Sequence, residues 1–261
     1  MAGSRTFTFL GTGTSVGVPM LGCECEVCRS TNPRNHRYRC SVLISSQRGN
    51  VLIDTTPELR LQLLRERVPL VHAVLYTHYH ADHMMGLDDC RLFPRALGGA
   101  LPIYCTEEVE RVVRQAFPYA FLSELEQLPL GSIPRLAFRR IEPLAPFEVL
   151  SHRVLPIPLS HAQYSVLGFR FDDVAYCTDV NEISPESMQL LEGLRVLVLD
   201  ALRPRPHPAH FSLDEALAII AQLKPKQAYL THMAHEMNYE RINPTLPPNV
   251  ELAYDGLKFT F

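Results

Sequence analysis

Short apolar runs that each end beside a polar side chain are the most regular pattern in this sequence. The runs are brief and rich in β-branched residues, which is typical of buried strands. They are Val71 to Tyr76, Val154 to Leu159, Val174 to Thr178, Arg195 to Leu199 and Gln227 to Thr231. In layered α/β proteins, polar groups at strand ends project into the cleft where ligands bind. We therefore expect the polar residues that follow these runs to meet at one edge of the fold.

The remaining segments predict the strands and helices around this edge. Further strands are predicted at residues 6–10, 41–46, 50–54, 102–105, 250–254 and 258–261. Cap residues predict helices from Thr56 to about Arg67, from Thr106, from Ser184, and from Ser212 to about Leu223. Residues 87–97 are expected to be partly helical. The side chains predicted to face the core are Leu59, Leu63 and Leu64 in the first helix, and Val109, Val112, Val113 and Ala116 in the second.

The residues after the first run carry the densest chemistry. Residues 77–83 read Thr-His-Tyr-His-Ala-Asp-His, so His78, His80, Asp82 and His83 fall within six positions. Buried polar groups of this kind need hydrogen bonds, opposite charges or a metal. Neutral imidazole and carboxylate are ligands that Zn²⁺ takes. The motif therefore predicts a metal site, and the alternative is a polar loop whose histidines are close by chance.

The ends of the later runs would add ligands to this motif. If the strands meet at one sheet edge, His161, Asp179 and His232 come to lie beside it. A separate thiol cluster lies near the N-terminus, where Cys23, Cys25 and Cys28 share one polar loop. Three thiols at this spacing allow a loop to wrap a tetrahedral metal whose fourth ligand comes from elsewhere. The alternative is three unrelated free cysteines.

Length and composition favour one soluble globular domain. The 261 residues contain 46% hydrophobic and 20% charged residues, and no polar linker divides them, so a single domain over residues 1–261 is expected. A net charge of −3 argues against a broad grip on extended nucleic acid. No apolar run is long enough to span a membrane, and residues 1–9 show no secretory signal. We expect a cytoplasmic protein whose seven cysteines are reduced thiols or metal ligands.

Three segments have no firm assignment from the sequence. Prolines exclude a long helix at residues 118–150, which could form a cap over the active site. Residues 34–39 form a basic patch that is either a solvated loop or a surface facing an anionic substrate. Residues 203–208, Arg-Pro-Arg-Pro-His-Pro, match no pattern with a known role.

The motif H-x-H-x-D-H after a strand, followed by one His, one Asp and a final His, resembles the metallo-β-lactamase superfamily over almost the whole chain. The resemblance implies an α/β fold, an αββα sandwich with the metal site at one edge. It also implies two divalent metal ions, Zn or Mn. Their ligands would be His78, His80 and His161 for one ion, Asp82, His83 and His232 for the other, and Asp179 as the bridge.

Within the superfamily the chain is similar to PhnP-type cyclic-phosphate phosphodiesterases, and PqqB-like proteins share much of the pattern. The similarity rests on residues 11–19, on the cysteine loop, and on Thr231-His232 followed by His235. It implies that one structural Zn is bound by Cys23, Cys25, Cys28 and His235. His210 falls where that family has a further active-site histidine.

The expected function is metal-dependent hydrolysis of a small-molecule phosphodiester, a cyclic nucleotide or ribose cyclic phosphate, through a metal-bridging hydroxide. His210 and Asp82 are the expected catalytic residues. His210 would protonate the leaving alkoxide, unless it is a surface histidine of a proline-rich loop. Alternatives are a nuclease that processes tRNA 3′ ends, a thioester or lactone hydrolase, and a PqqB-like carrier without enzyme activity. No membrane partner is expected, and a homodimer is left open.

Overall fold

Two sheets of seven strands each form the centre of the computed structural model, which describes residues 4–122 and 127–261. The first sheet contains β1 (Thr6–Gly11), β2 (Ser41–Ser46), β3 (Gly49–Ile53), β4 (Ala73–Leu75), β5 (Leu101–Cys105), β6 (Leu136–Arg140) and β14 (Lys258–Thr260). The second contains β7 (Phe147–Val149), β8 (His152–His161), β9 (Tyr164–Phe171), β10 (Val174–Cys177), β11 (Val196–Asp200), β12 (Gln227–Thr231) and β13 (Val250–Leu252).

Each sheet is antiparallel in one half and parallel in the other. The first has the order β14-β1-β2-β3-β4-β5-β6, and its pairs from β3 to β6 are parallel. The second has the order β13-β12-β11-β10-β9-β8-β7, and its pairs from β10 to β13 are parallel. Because parallel strands end at the same edge of a sheet, the residues after β3, β4, β10, β11 and β12 share the edges where the site forms. The five predicted runs do not share one sheet edge as expected, because β4 belongs to the first sheet and β8, β10, β11 and β12 belong to the second.

Helices cover the outer face of each sheet. They are α1 (Leu59–Arg65), α2 (Ala81–Met84), α3 (Phe93–Leu97), α4 (Glu107–Ala116), α5 (Pro185–Leu190), α6 (Leu213–Leu223) and α7 (Tyr239–Ile242). One apolar core lies between the sheets, and a further core lies between each sheet and its helices. The predicted αββα sandwich is confirmed. None of the helices in the described ranges is long and apolar enough to cross a membrane.

The predicted caps at Thr106, Ser184 and Ser212 are present, whereas the predicted cap at Thr56 and two predicted core positions are wrong. The Ser212 side chain and Glu215 form the reciprocal capping box at the start of α6. In α1, Leu64 is 60% exposed and Gln62 is buried instead. At 3.6 residues per turn Leu64 lies about 140° around the helix axis from Leu59, whereas Gln62 lies about 60° from it. In α4, Ala116 is exposed.

The segment 118–150 supplies strands to the edges of both sheets. β6 pairs with β5 in the first sheet, and β7 pairs with β8 in the second. Glu142 and Pro143, between these strands, line a cavity of about 270 Å³ together with Tyr79. The described parts of this segment extend the two sheets and do not form the expected cap over the active site. Residues 123–126 lie outside the described residues.

Candidate metal centre

The seven predicted ligands meet at one edge of the sandwich in two overlapping groups. Within each group the candidate ligand atoms all lie within 4.8 Å of one another. One group is His78, His80, His161 and Asp179, and the other is Asp82, His83, Asp179 and His232. The structure therefore brings together every residue of the predicted dinuclear site.

Asp179 is the residue that both groups share. Its Oδ1 lies 3.2 Å from Nε2 of His83, and its Oδ2 lies 3.3 Å from Nε2 of His232. The same Oδ2 lies 3.8 Å from Nε2 of His78 and 3.9 Å from Nε2 of His161. Two ligand atoms on one ion at about 2.0–2.1 Å lie about 3.3 Å apart in tetrahedral geometry. The spacing fits a carboxylate that contacts two ions.

Several residues of the site hold a strained backbone. Asp54, Asp179 and His232 follow β3, β10 and β12, and their φ angles are 64°, 52° and 58°. Left-handed conformations are unfavourable for residues with a Cβ atom and cluster at functional sites. Here the turn out of each strand aims a polar side chain into the cleft.

Hydrogen bonds on the far side of two imidazoles fix their orientation. Nδ1 of His83 donates to Oδ2 of Asp54 at 2.8 Å, and Nδ1 of His161 donates to the Ala209 carbonyl at 2.6 Å. A carbonyl or carboxylate oxygen only accepts, so Nδ1 carries the proton in both rings. The Nε2 lone pairs then face the cleft, as metal ligation requires.

His78 is oriented by the same carboxylate through a threonine. The Thr77 hydroxyl donates its single proton to Oδ2 of Asp54 at 2.8 Å, and its oxygen lies 2.9 Å from Nδ1 of His78. The oxygen must therefore accept from His78. Asp54 thus orients one histidine of each ligand group.

His80 and His232 lack such an orienting hydrogen bond among the described residues, and the two are held differently: His232 stacks on His210, with its buried Nδ1 unpartnered, whereas His80 packs against tyrosines. No described residue forms a hydrogen bond with the His80 ring. Two tyrosine rings pack against it instead, Tyr164 at a centroid distance of 5.0 Å and Tyr79 at 5.8 Å, both nearly perpendicular to it. Tyr164 lies directly across the β8–β9 hairpin from His161.

The electrostatics of the centre favour a cation. Burial lowers the pKa of His83, but the carboxylates of Asp179, Asp82 and Asp54 outweigh burial and hold the pKa well above its usual value. The same balance raises the pKa of His232 to about 9. Burial raises the pKa of Asp179, but His232 and His83 hold it well below its usual range. A cleft that stabilises protons on these rings also stabilises a divalent ion in their place.

Unpartnered ring atoms provide a second test of fit. Among the described residues, the buried Nε2 atoms of His78, His83 and His232 have no hydrogen-bond partner. Buried polar atoms without partners are costly. Burial also lowers the pKa values of His78, His80 and His161, which keeps these rings neutral as ligands must be. The residues present therefore fit two divalent ions.

His210 lies beside this centre and has its own carboxylate partner. Its ring centroid is 4.6 Å from those of His161 and His232. Nδ1 of His210 donates to Oδ2 of Asp200 at 2.6 Å, and Asp200 is fully buried. His210 is 8% exposed, so the alternative of a surface histidine is wrong.

Two supporting residues were not assigned from the sequence, Asp54 and Asp200. Both terminate or follow parallel strands, so the strand-end pattern contained the signal. The pattern alone does not separate a ligand from the residue that orients a ligand.

The thiol cluster meets His235 as predicted. Nδ1 of His235 lies 3.2 Å from Sγ of Cys23, 3.3 Å from Sγ of Cys25 and 3.7 Å from Sγ of Cys28. Tetrahedral zinc, with Zn–S of about 2.3 Å and Zn–N of about 2.0 Å, spaces sulfur and nitrogen ligands about 3.5 Å apart. Burial raises the pKa of the Cys25 thiol, but the Cys28 backbone N–H and His235 bring it down to about 6. The four residues fit a closed zinc site.

The basic patch at residues 34–39 is partly internal and supports this cluster. Arg37 is 2% exposed, and its guanidinium donates to the carbonyls of Ala234 and Met237. These carbonyls flank His235 in the chain. Arg39 forms an ion pair with Glu58. The expectation of a solvated loop is therefore wrong for Arg37.

Known proteins share this sequence pattern and fold. A family model described as Beta-lactamase superfamily domain matches residues 49–233. The octanoyltransferase of Porphyromonas gingivalis is 34% identical over 253 residues, which are 95% of this chain and 50% of that protein. The chain therefore spans about half the length of this curated relative, whose name describes the longer protein.

Solved structures extend the similarity. A crystal structure described as a new diphosphatase from the PhnP family has a TM-score of 0.92 and 42% identity, covering 100% of this chain and 98% of that one. Zn(2+)-bound PqqB from Methylobacterium extorquens has a TM-score of 0.79 and 17% identity, covering 97% and 99%. The second likeness shows the fold alone. The predicted resemblance to PhnP-type and PqqB-like proteins is confirmed.

Proposed function

The chain belongs to the β-lactamase superfamily, with the fold of a metal-dependent hydrolase, and from this premise we propose that it hydrolyses a small phosphodiester. The substrate class is a cyclic nucleotide or a ribose cyclic phosphate. The bond cleaved joins phosphorus to an ester oxygen, and water supplies the group that replaces it.

Two divalent ions would be held by the two ligand groups that share Asp179. When bound, such a pair of ions activates a water molecule and stabilises negative charge on the phosphate oxygens. Zn and Mn both fit imidazole and carboxylate ligands. A third ion, a zinc, would be held by the three thiols and His235, away from the reaction.

The protein's own groups supply orientation and a proton. Asp54 and the Ala209 carbonyl hold His83 and His161 with their Nε2 atoms facing the cleft. His210 holds a proton on Nδ1 against Asp200, which leaves Nε2 as the atom that can deliver a second proton towards the cleft. An alkoxide leaving group needs such a proton, and imidazole titrates near neutral pH.

One observation carries the phosphodiesterase proposal. His210 belongs to neither of the four-residue groups that share Asp179. Its ring centroid lies 4.6 Å from that of His161 in one group and 4.6 Å from that of His232 in the other. Its buried carboxylate partner fixes the orientation of the ring, as the carboxylate of an acid–base triad does for its histidine. A phosphate ester with a poorly departing alkoxide is the kind of substrate that needs this donor.

A second candidate is hydrolysis of a diphosphate. The observation that favours it is the diphosphatase described for the 42% identical structural relative. The reaction would use the same ion pair, and the leaving group would be a phosphate, which departs more readily than an alkoxide.

The test is a hydrolysis panel with the metal-loaded protein. Its substrates are bis-p-nitrophenyl phosphate, 2′,3′-cyclic nucleotides, a dinucleoside diphosphate, a thioester and a lactone. We expect turnover of the phosphate esters, and we expect Asp179→Ala to abolish it while the circular dichroism spectrum is kept. Turnover confined to the thioester or lactone would contradict the proposal. Near-normal activity of Asp179→Ala would remove the shared-ligand assignment.

A further inference from the structure

A cavity of about 300 Å³ lies outside the metal centre, because the described residues that line it include neither a metal ligand nor His210. Its lining combines apolar, aromatic and charged residues, among them Val18, Pro19, Pro33, Tyr38, Arg65 and Asp255. Pockets that bind small molecules have volumes of about 300–1,000 Å³ and are mostly apolar, with a few convergent polar groups. The cavity is therefore of the size and kind that holds a small ligand.

Asp255 contributes a buried carboxylate to this cavity, with a side chain that is 7% exposed. Its Oδ1 accepts from the Thr12 hydroxyl at 2.8 Å. Its Oδ2 accepts from the Tyr38 backbone N–H at 2.8 Å and from Nη1 of Arg65 at 3.2 Å. Burial raises the pKa of Asp255 to about 6, and a perturbed carboxyl in a cavity is typical of binding sites. Because a carboxylate oxygen can accept two hydrogen bonds, Oδ1 retains one acceptor position.

Arg65 places a donor next to this acceptor. Its Nε donates to Glu66 at 2.7 Å, and its Nη2 donates to the backbone carbonyls of Phe9 and Leu10. Nη1 carries two protons, and the described part of the chain takes up one of them, through Asp255. One N–H of Arg65 therefore remains beside the carboxylate that has an acceptor position to spare.

Tyr38 provides an aromatic ring at the same place. Its backbone is fixed on both sides, by the N–H bond to Asp255 and by a carbonyl that accepts from the Gly13 N–H at 2.8 Å. The Arg65 guanidinium lies 5.6 Å from the centroid of the half-buried ring. An aromatic ring beside a hydrogen-bond donor and acceptor is the combination by which proteins stack a nucleobase and bind its edge.

The charges around the cavity favour a neutral ligand. Arg37 also lines it, and Nε of this buried side chain has no hydrogen-bond partner among the described residues. Arg65 forms ion pairs with Asp255 and Glu66. The two guanidinium groups and the two carboxylates together carry no net charge, so neither an anion nor a cation is attracted by the sum. A ligand with a donor and an acceptor side by side matches the groups that remain.

We propose that this cavity binds the base of a free nucleoside, at a site separate from the metal centre. The face of the base packs on the Tyr38 ring, while its edge donates to Oδ1 of Asp255 and accepts from Nη1 of Arg65. Nucleobases present a donor and an acceptor on adjacent atoms of one edge, as adenine does with N6 and N7. The inference goes beyond the proposed hydrolysis and does not depend on it.

The test is isothermal titration calorimetry of the metal-loaded protein with adenosine, guanosine, cytidine and uridine, and with ribose as a probe that lacks a base. At the binding efficiency usual for ligands of about 20 non-hydrogen atoms, we expect a Kd of about 0.1 mM for at least one nucleoside. Ribose should not bind. Each titration is repeated with enough inorganic phosphate to occupy the metal centre, and the Kd of the nucleoside should not change.

Variants of Tyr38 separate stacking from loop structure. Tyr38→Ala keeps the backbone bonds to Gly13 and Asp255 but removes the ring, and we expect it to raise the Kd of the nucleoside about tenfold. Tyr38→Phe keeps the ring, so its Kd should stay within about twofold of the wild type. Tyr119→Ala is the matched control, because Tyr119 is a partly exposed tyrosine that does not line the cavity. Its Kd should equal that of the wild type.

Several results would overturn the inference. One is the absence of binding by all four nucleosides at concentrations of about 1 mM. Another is binding that disappears when inorganic phosphate is present, which would place the nucleoside at the metal centre. A third is an equal effect of Tyr38→Ala and Tyr119→Ala.

A crystal of the wild-type protein soaked with the nucleoside that binds most tightly decides the site even if Tyr38→Ala does not fold. Electron density for the base between Tyr38 and Asp255 would support the inference. Density for the nucleoside at the metal centre alone would refute it. Neither result bears on whether the protein hydrolyses phosphate esters, so the proposed function and this inference are tested separately.

Discussion

Asp54 and His83 lie 2.8 Å apart, carboxylate oxygen to Nδ1, in the interior of the protein where neither side chain is exposed. The same carboxylate accepts from the backbone N–H and the hydroxyl of Thr77, which in turn orients His78. One buried carboxylate therefore determines the direction of a histidine in each ligand group. The groups that contact this carboxylate are all hydrogen-bond donors. An asparagine here would therefore turn its NH₂ group, which is also a donor, towards one or more of them.

Asp54→Asn should therefore weaken both catalytic ions at once. Residues that orient metal ligands typically contribute 10- to 100-fold to metal affinity or activity, and we expect a loss of about that size for each ion. The measurement is metal titration of the chelator-stripped protein, with bound metal quantified by elemental analysis. Asp173→Asn is the matched control, because the Asp173 side chain is half-exposed and pairs with Arg195. Unchanged affinity for both ions would mean that Asp54 is only structural.

Tyr164→Ala should weaken one ion selectively. His80 has two tyrosine rings against it where the other oriented histidines have hydrogen bonds. We expect the ion of the His78, His80 and His161 group to be bound about tenfold more weakly, with the other ion little affected. Tyr164→Phe keeps the ring and should restore the affinity. If both variants bind two ions as the wild type does, the ring contact has no role in positioning His80.

His210→Ala should slow hydrolysis most for substrates whose leaving group must be protonated as it departs. His210 lies beside the ligand groups and is held by Asp200, so its loss should leave both catalytic ions bound. General acid catalysis contributes about 10²- to 10⁴-fold, and we expect a loss in that range for substrates with an alkoxide leaving group. For p-nitrophenolate, which departs without a proton, the loss should be small. Equal losses on both kinds of substrate, or a loss of metal, would remove the general-acid role.

The ligand positions were predictable from the strand ends. A polar side chain buried at the end of a parallel strand costs free energy unless it has a hydrogen-bond partner, an opposite charge or a metal. The pattern does not rank the polar residues it finds. Asp200 and Asp179 both come at the end of an apolar run, yet only distances show that Asp179 contacts four histidines while Asp200 holds His210. Asp54 also follows an apolar strand, and the sequence alone does not show whether it binds a metal or orients a ligand.

Helix faces were less predictable for a geometric reason. Each helical residue is rotated by about 100° from the one before, so Leu64 lies about 140° from Leu59 and outside the narrow face of α1 that packs on the sheet. The helix also begins two residues later than Pro57 suggests. Arg37 shows a second limit. A charged residue in a basic run suggests a solvated loop, but its partners are carbonyls about 200 positions away in the sequence. Only the fold brings those carbonyls to it.

The thiol cluster gives a prediction that separates folding from chemistry. Cys23, Cys25 and Cys28 lie on one loop, and His235 lies three residues beyond the catalytic candidate His232. A zinc bound by all four would join the N-terminal loop to the segment that carries a catalytic ligand. The small apolar cluster in this loop includes Val18 and Val27, so metal affinity would supply much of the loop's folding energy.

Cys25→Ser should therefore lower the melting temperature of the zinc-loaded protein by about 5 °C or more, since each kcal/mol of lost stability shifts Tm by roughly 2–4 °C in a chain of this size. Hydrogen exchange should accelerate in residues 20–40, whereas the rate of hydrolysis should fall much less than in Asp179→Ala. Glu24→Gln is the matched control, because Glu24 is exposed in the same loop and pairs only with the exposed Arg29 among the described residues. An anomalous difference map at the zinc edge decides the ligand assignment. A metal-replete crystal without a peak within bonding distance of the three sulfurs would show that the cysteines serve another purpose, since thiolates this close to one imidazole in a closed tetrahedral arrangement would otherwise bind zinc.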